Sequence, residues 1–221
     1  LINKIKDLDN SNMFDEIKYM YKQILSSIEI IEELDFSTIS KTTTLQSNQY
    51  DNILVCGMGG SAIGGDFVNS IISTDINIPM YVNRDYSIPK WVNEKTLVFI
   101  CSYSGNTEET ISCYHEIVNL NLSPIIISTG GYLLSDAIKN KFATIKMPMG
   151  IQPRAAFGYS SSLLLLSLVK LNILKNEYIE QLKTTIQSLE KLNCDLSNLN
   201  VENSAIKLAM KIKNKLPIIY G

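Results

Sequence analysis

The sequence predicts an α/β protein built on a doubly wound, flavodoxin-like parallel sheet. Three observations carry that reading. Short β-branched runs, apolar on both faces, alternate with stretches of helical spacing. Glycines and hydroxyl residues stand at the exits of two of those runs. The 221 residues, 45% of them hydrophobic, suffice to bury a sizeable core.

Residues 12 to 34 set Phe14, Ile17, Met20, Tyr21, Ile24, Leu25 and Ile28 at helical spacing, an amphipathic helix that packs on another element. "STISKTTTLQSNQ" is a polar connection. The alternation then begins with a strand from Ile53 to Cys56, a helix from Ser61 to Ile72, and strands from Met80 to Val82 and Leu97 to Cys101. It continues with a helix from Thr107 to Leu120, a strand from Pro124 to Ser128, a helix from Leu133 to Asn140 and a strand from Thr144 to Met147. Right-handed crossovers then wind the helices over both faces of the sheet. After Pro153 the pattern is helical: Ala155 to Leu174, Glu177 to Leu192 and Val201 to Lys213, with "NCDLSNLN" separating the last two. "PIIYG", residues 217 to 221, reads as the first strand of a second α/β unit.

The expected organisation is an N-terminal helical segment over 1–48, an α/β domain over 49–153, a helical linker over 154–216, and the start of a further domain at 217–221. The chain opens on Leu1 and closes on Gly221. A piece of a longer protein is expected, continuing for roughly another 80 to 100 residues, the size of a second α/β unit.

Composition excludes several function classes. A net charge of -2 and a pI near 5.5 give no electrostatic case for nucleic acid. The four cysteines form no C-x-x-C pair and there is one histidine, so no zinc pattern exists and no metal is expected. Cys56 and Cys101 fall in buried strands, as inert thiols of a reducing cytosol do. No signal-peptide pattern is visible. The most apolar stretch, Ala155 to Val169, holds Gly158 and four serines. It is shorter than the ~20 residues that span a bilayer, and reads as a buried helix rather than a membrane segment.

Ligands of open parallel sheets bind at the carboxyl ends of the strands, near the switch point of strand order. Two loops belong to that edge. The first is Gly57-Met58-Gly59-Gly60-Ser61: glycines permit close backbone approach, the next helix offers unpaired N–H groups and a positive dipole end, and Ser61 adds a hydroxyl. The second is "CSYSGNTEE", residues 101 to 109, where Ser102, Ser104 and Thr107 set three hydroxyls around Gly105 at another helix start. Such a pair of loops suits a phosphate monoester held without strong positive charge. The plainer reading is that the hydroxyls are helix N-caps and that Glu108 and Glu109 simply suit a first helical turn. A rival reading takes Gly57-x-Gly59-x-x-Ala62 as a dinucleotide fingerprint, but "YVNRDY" leaves the register of its ribose-binding acid ambiguous.

Arg154, after Gln152-Pro153, stands where the last strand of the domain gives way to helix. Its guanidinium could reach back over the sheet edge and stabilise a developing oxyanion; a surface ion pair is the alternative. Arg84 reads as structural, and His115 as a helix-face residue. No carboxylate pair and no histidine has a clear claim to acid–base work in this chain.

"GMGGSAIGGDF", "SYSGNTEET" and "QPRAAFGY" together resemble the three hallmark segments of the bifunctional phosphoglucose/phosphomannose isomerases, in the sugar isomerase (SIS) branch of the phosphoglucose isomerase superfamily. The order and spacing fit over nearly the whole chain. The resemblance implies a three-layer αβα SIS domain, a second SIS domain beyond the chain, a homodimer, and no metal or organic cofactor; the thiols and the lack of a signal-peptide pattern lead to the expectation of a cytoplasmic protein. It implies interconversion of glucose 6-phosphate, or mannose 6-phosphate, with fructose 6-phosphate. Gly59, Gly60, Ser61, Ser102, Ser104 and Thr107 would hold the substrate phosphate or lie beside the sugar, and Arg154 would match the arginine that stabilises the enediolate. The glutamate base and ring-opening histidine would lie beyond Gly221, so this chain would bind a hexose 6-phosphate without isomerising it. The alternative is a non-catalytic module that senses a phosphosugar.

Overall fold

Parallel strands β1 (Asn52–Gly57), β2 (Met80–Asn83), β3 (Thr96–Ser102), β4 (Ile125–Ser128) and β5 (Thr144–Lys146) form one sheet in the order β2-β1-β3-β4-β5. The computed structural model describes residues 7–34, 50–200, 202–218 and 220. The chain steps from β1 outward to β2, then returns to the other side of β1 to lay down β3. The switch point therefore falls between β1 and β3.

The helices are α1 (Met13–Lys18), α2 (Met20–Glu33), α3 (Gly59–Ile72), α4 (Glu108–Asn119), α5 (Gly131–Lys139), α6 (Phe157–Lys170), α7 (Glu177–Ser197) and α8 (Ser204–Ile212), with a 3-10 turn at Pro153–Ala155. Strand residues sort by period two into the two faces. Ile53, Val55, Leu97, Phe99, Ile125 and Ile127 pack with α2, α3 and α6. Leu54, Cys56, Val98, Ile100 and Ile126 pack with Cys113, Tyr114 and Ile117 of α4 and with Leu133 and Ala137 of α5. The result is the three-layer αβα architecture that the apolar runs predict. Both faces are dry, which is why those runs do not alternate with polar residues.

Helix α6 is buried over nearly its whole length, from Ser160 to Val169. Its serines are tolerated there because Ser161 donates to the Phe157 carbonyl at 2.7 Å and Ser167 to the Leu163 carbonyl at 2.6 Å. Asn172 then takes a left-handed conformation at φ 58°, which ends the helix.

Boundaries differ from expectation in a few places. The amphipathic stretch over 12–34 breaks at Tyr19 into α1 and α2. The expected helix from Ala155 is a 3-10 turn first, and α6 starts at Phe157. Within "NCDLSNLN" the first five residues continue α7 to Ser197. The break comes later because Asn203 works in both directions: its Oδ1 accepts the N–H groups of Ala205 and Ile206, and its Nδ2 donates to the carbonyls of Asp195, Leu196 and Asn198. One side chain thus starts α8 and caps the end of α7. "STISKTTTLQSNQ" lies outside the described residues. In the expected strand at 217–221, the described residues Pro217, Ile218 and Tyr220 are exposed and unpaired with the sheet. Among the described residues no helix is long and apolar enough to cross a membrane.

Candidate functional site

The two hydroxyl-bearing loops emerge from adjacent strands on either side of the switch point. Gly57, the last residue of β1, stands opposite Cys101 of β3 in register. A Cβ on Gly57 would lie 3.0 Å from the Cys101 carbonyl oxygen and 3.3 Å from the Ser61 Cβ. Glycine therefore lets the first loop fold against the exit of β3.

Helix α3 begins abruptly after Met58, which is extended at φ -123° and ψ 157°. Gly59 follows at φ 50°. The first turn of an α-helix leaves its N–H groups without intrahelical partners, and here those belong to Gly59 and Gly60. Ser61 is the third helical residue, so its hydroxyl is not the N-cap of this helix.

The second loop is held by its own hydroxyls. Ser102, buried, pairs with the Thr107 hydroxyl at 2.9 Å and accepts the Gly105 N–H at 3.1 Å. Ser104 is exposed and accepts the Asn106 N–H at 3.2 Å. Thr107 occupies the N-cap position of α4, yet its side chain caps nothing. The capping explanation for these hydroxyls therefore does not describe their geometry, while Glu108 and Glu109 do occupy the first helical turn as expected. The Glu109 charge, with help from burial and Glu108, holds the Tyr86 hydroxyl above its ordinary pKa.

A third strand exit braces the second, and sequence reasoning missed it. Thr129, after β4, donates from both its N–H and its hydroxyl to the Tyr103 carbonyl, at 3.1 and 2.7 Å. The Leu133 N–H donates to the Gly105 carbonyl at 3.0 Å, and the Tyr132 N–H to Asn106 Oδ1 at 2.9 Å. Gly105, at φ 69°, lies so close that a Cβ there would overlap the Gly130 carbonyl. The signal was available in "STGG", a third hydroxyl and glycine cluster at a strand end.

Arg154 is exposed in the 3-10 turn at Pro153–Ala155. The turn rests on the first loop: a Cβ on Gly60 would lie 3.1 Å from the Pro153 carbonyl oxygen and 3.8 Å from the Arg154 Cα. The Ser160 hydroxyl, from α6, donates to the Gly60 carbonyl at 3.3 Å. No side chain among the described residues pairs with Arg154. Arg84, by contrast, pairs with Asp66 at the surface, the structural role expected of it. The structure thus assembles Gly59, Gly60 and Ser61 beside the exit of β3, sets Arg154 against Gly60, and engages Ser102 and Thr107 with each other.

His115 is exposed on α4, with Nε2 3.4 Å from the Tyr132 hydroxyl. Cys101 and Cys56 are buried, and burial pushes the Cys101 thiol up to about 12. A hydrogen bond with Cys113, together with burial, holds Cys56 well above the ordinary thiol range. Neither is a nucleophile at neutral pH. Among the described residues no group of three or more potential ligands could hold a metal ion. A separate cavity of about 590 Å³ lies between α2, α3, α6 and α7, lined by residues such as Ile24, Phe67, Phe157 and Leu165. Its apolar walls suit no anion, and it includes neither loop.

Comparison with known proteins bears on the fold and on the chain's relatives. No protein-family model matches the chain. It is 38% identical over 215 residues to the bifunctional phosphoglucose/phosphomannose isomerase of Caldicellulosiruptor bescii, covering 95% of this chain and 60% of that protein. It is 31% identical to the Aquifex aeolicus protein of the same name, over 86% of this chain and 54% of the relative. Among solved structures, tagatose-6-phosphate ketose/aldose isomerase from Escherichia coli superposes with a TM-score of 0.60 at 17% identity, covering 82% of this chain and 54% of that one; this is a likeness of fold. The chain spans between half and two thirds of the length of these relatives. Over nearly its whole length the chain is similar to the bifunctional phosphoglucose/phosphomannose isomerases, and its αβα fold is that of the SIS domain.

Proposed function

We propose that the complete protein is a cytoplasmic homodimeric isomerase that interconverts glucose 6-phosphate, and mannose 6-phosphate, with fructose 6-phosphate. The observation that carries this reading is the adjacency of two strand exits at the switch point, with Arg154, which has no side-chain partner among the described residues, in a turn against the first of them. The phosphate dianion rests on the Gly59 and Gly60 N–H groups and the positive end of α3. Ser61, Ser104 and Thr107 add hydroxyl donors, and Ser102 keeps the second loop in shape. Hydroxyls and amides hold a dianion less tightly than a cluster of cations would, which suits a substrate that must leave.

The reaction moves a proton between C1 and C2 of the open-chain sugar through an enediolate. Arg154 stays protonated throughout and stabilises the oxyanion as charge develops there. The base and the group that opens the ring are assigned to the part of the protein that its relatives have and this chain does not span. Among the described residues His115 faces Tyr132, and Glu108 lies at a helix start beside Tyr86.

The test is a coupled assay of the complete gene product, treated with EDTA, on both aldose phosphates. Turnover without added metal supports the reading. Failure to isomerise, with tight NADP binding, overturns it in favour of a dinucleotide site. Phosphosugar binding without turnover overturns it in favour of a sensing module.

A further inference from the structure

Arg154 sits in a turn three residues long, so its position depends on what grips that turn. Two side chains from distant parts of the sequence hold the turn and the chain that enters it. Gln23, on α2, donates from Nε2 to the Ala155 carbonyl at 2.8 Å. Tyr103, in the second loop, accepts the Ile151 N–H on its hydroxyl at 3.2 Å. The first contact holds the residue after Arg154; the second holds the chain three residues before it. The Tyr103 main chain is itself pinned by Thr129, so the same residue ties the approach to Arg154 to the loop that carries Ser102 and Ser104.

Gln23 carries a further clue. It is 4% exposed, and its Oε1 is buried with no hydrogen-bond partner among the described residues. A buried acceptor left unsatisfied works against stability. An apolar side chain of the same length would fill the space beside Gly158 without that cost. Stability alone does not account for an amide here; its use lies in the one bond that it makes, to the turn that bears Arg154.

We propose that Gln23 and Tyr103 are positioning residues, which set Arg154 relative to the anion cradle for the chemical step. This rests on the isomerase reading of the site. Neither residue is assigned a contact with substrate. Each acts through the backbone on either side of Arg154, one from the N-terminal helix and one from the hydroxyl loop.

Kinetics of the complete gene product test this. Gln23→Met keeps the volume and removes the donor; Tyr103→Phe keeps the ring and removes the hydroxyl. Each variant is expected to lower kcat by about 10-fold or more while KM stays within about 2-fold, since a displaced catalytic group impairs the transition state more than the ground state. The melting temperature of Gln23→Met should be unchanged or higher. Added to Arg154→Ala, neither substitution should lower kcat further, because the arginine through which it acts is gone. Losses that multiply with that of Arg154→Ala, or a kcat loss that tracks a fall in melting temperature, would overturn the proposal.

A second readout needs only the present chain. Arg84 and Arg154 are its only arginines, so its guanidinium Nε–H NMR spectrum holds two signals, assigned by Arg154→Lys. Fructose 6-phosphate should shift the Arg154 signal in the parent chain, and shift it less in Gln23→Met and Tyr103→Phe. An equal shift in the parent and both variants refutes positioning. An inactive complete protein whose parent spectrum responds to the sugar, and whose variants respond less, overturns the isomerase reading and leaves the positioning role standing. No response in the parent chain overturns both.

Discussion

At the scale of single residues, the site is built from atoms that sequence patterns reveal unevenly. That Gly59, Gly60 and Ser61 open a helix at a strand exit was legible because glycines stand between an apolar run and a helical pattern there. Arg154 was legible only through the resemblance, since spacing alone fits a surface ion pair equally well. Gln23 and Tyr103 were not legible at all: their bonds cross 132 and 48 residues of sequence, and nothing local marks them. Ser104→Ala is expected to weaken binding of fructose 6-phosphate by about 1–2 kcal/mol, the worth of a lost hydrogen bond, in calorimetric titration. Arg154→Ala in the complete protein should lower kcat far more than it raises KM; equal effects on both would make Arg154 a ground-state anchor. Gly105→Ala should do more damage than either to the fold. The left-handed backbone alone costs about 1–3 kcal/mol, and the new methyl group meets the Gly130 carbonyl. Urea denaturation of the variant measures that loss.

At the scale of elements, the strands were the easiest to read. An Ile- and Val-rich run bounded by polar residues can only be a buried strand if it is too short for a helix, as "IIIS" is. Helix ends were harder. The boundary between α7 and α8 depends on Asn203, one asparagine among several in that stretch. The 3-10 turn before α6 depends on partners in α2 and the second loop. Packing between α3 and α6 gives an element-scale prediction. A Cβ on Gly64 would approach the Ser160 Oγ to 2.5 Å and the Ser160 carbonyl carbon to 3.0 Å. Gly64→Ala should therefore push the two helices apart, at about 1–3 kcal/mol, and lower the melting temperature by several degrees. Pairing it with Ser160→Gly should recover part of the loss; no recovery would place the strain elsewhere.

At the scale of the whole molecule, their place in apolar strands marked Cys56 and Cys101 as inert thiols, and both are buried. Cys56, Cys101 and Cys113 are buried, and Cys194 on α7 is exposed. A native-state reaction with a chromogenic disulfide reagent should count one fast thiol, and four after denaturation. High pH provides another whole-molecule test. Burial, assisted by the hydrogen bond to Asp75, pushes the Tyr178 hydroxyl up to about 12. Its unfolded pKa is about 10. The folded state therefore keeps the proton longer: this stabilisation is whole below pH 10 and is lost as pH rises towards 12. Urea midpoints should fall across that window, and fall less steeply in Tyr178→Phe. The turns at the carboxyl edge have a different consequence. Beside the hydroxyls of Ser102, Thr107 and Thr129, they are knitted by main-chain atoms, the amides of Thr129 and Leu133 to the carbonyls of Tyr103 and Gly105. The main-chain bonds and the outward-facing Ser104, which adds only its contact with the Asn106 N–H at 3.2 Å, thus answer to largely separate constraints. That separation makes the exposed position open to redesign: a chemist could exchange it to admit a different acid group while the turns beneath keep their shape.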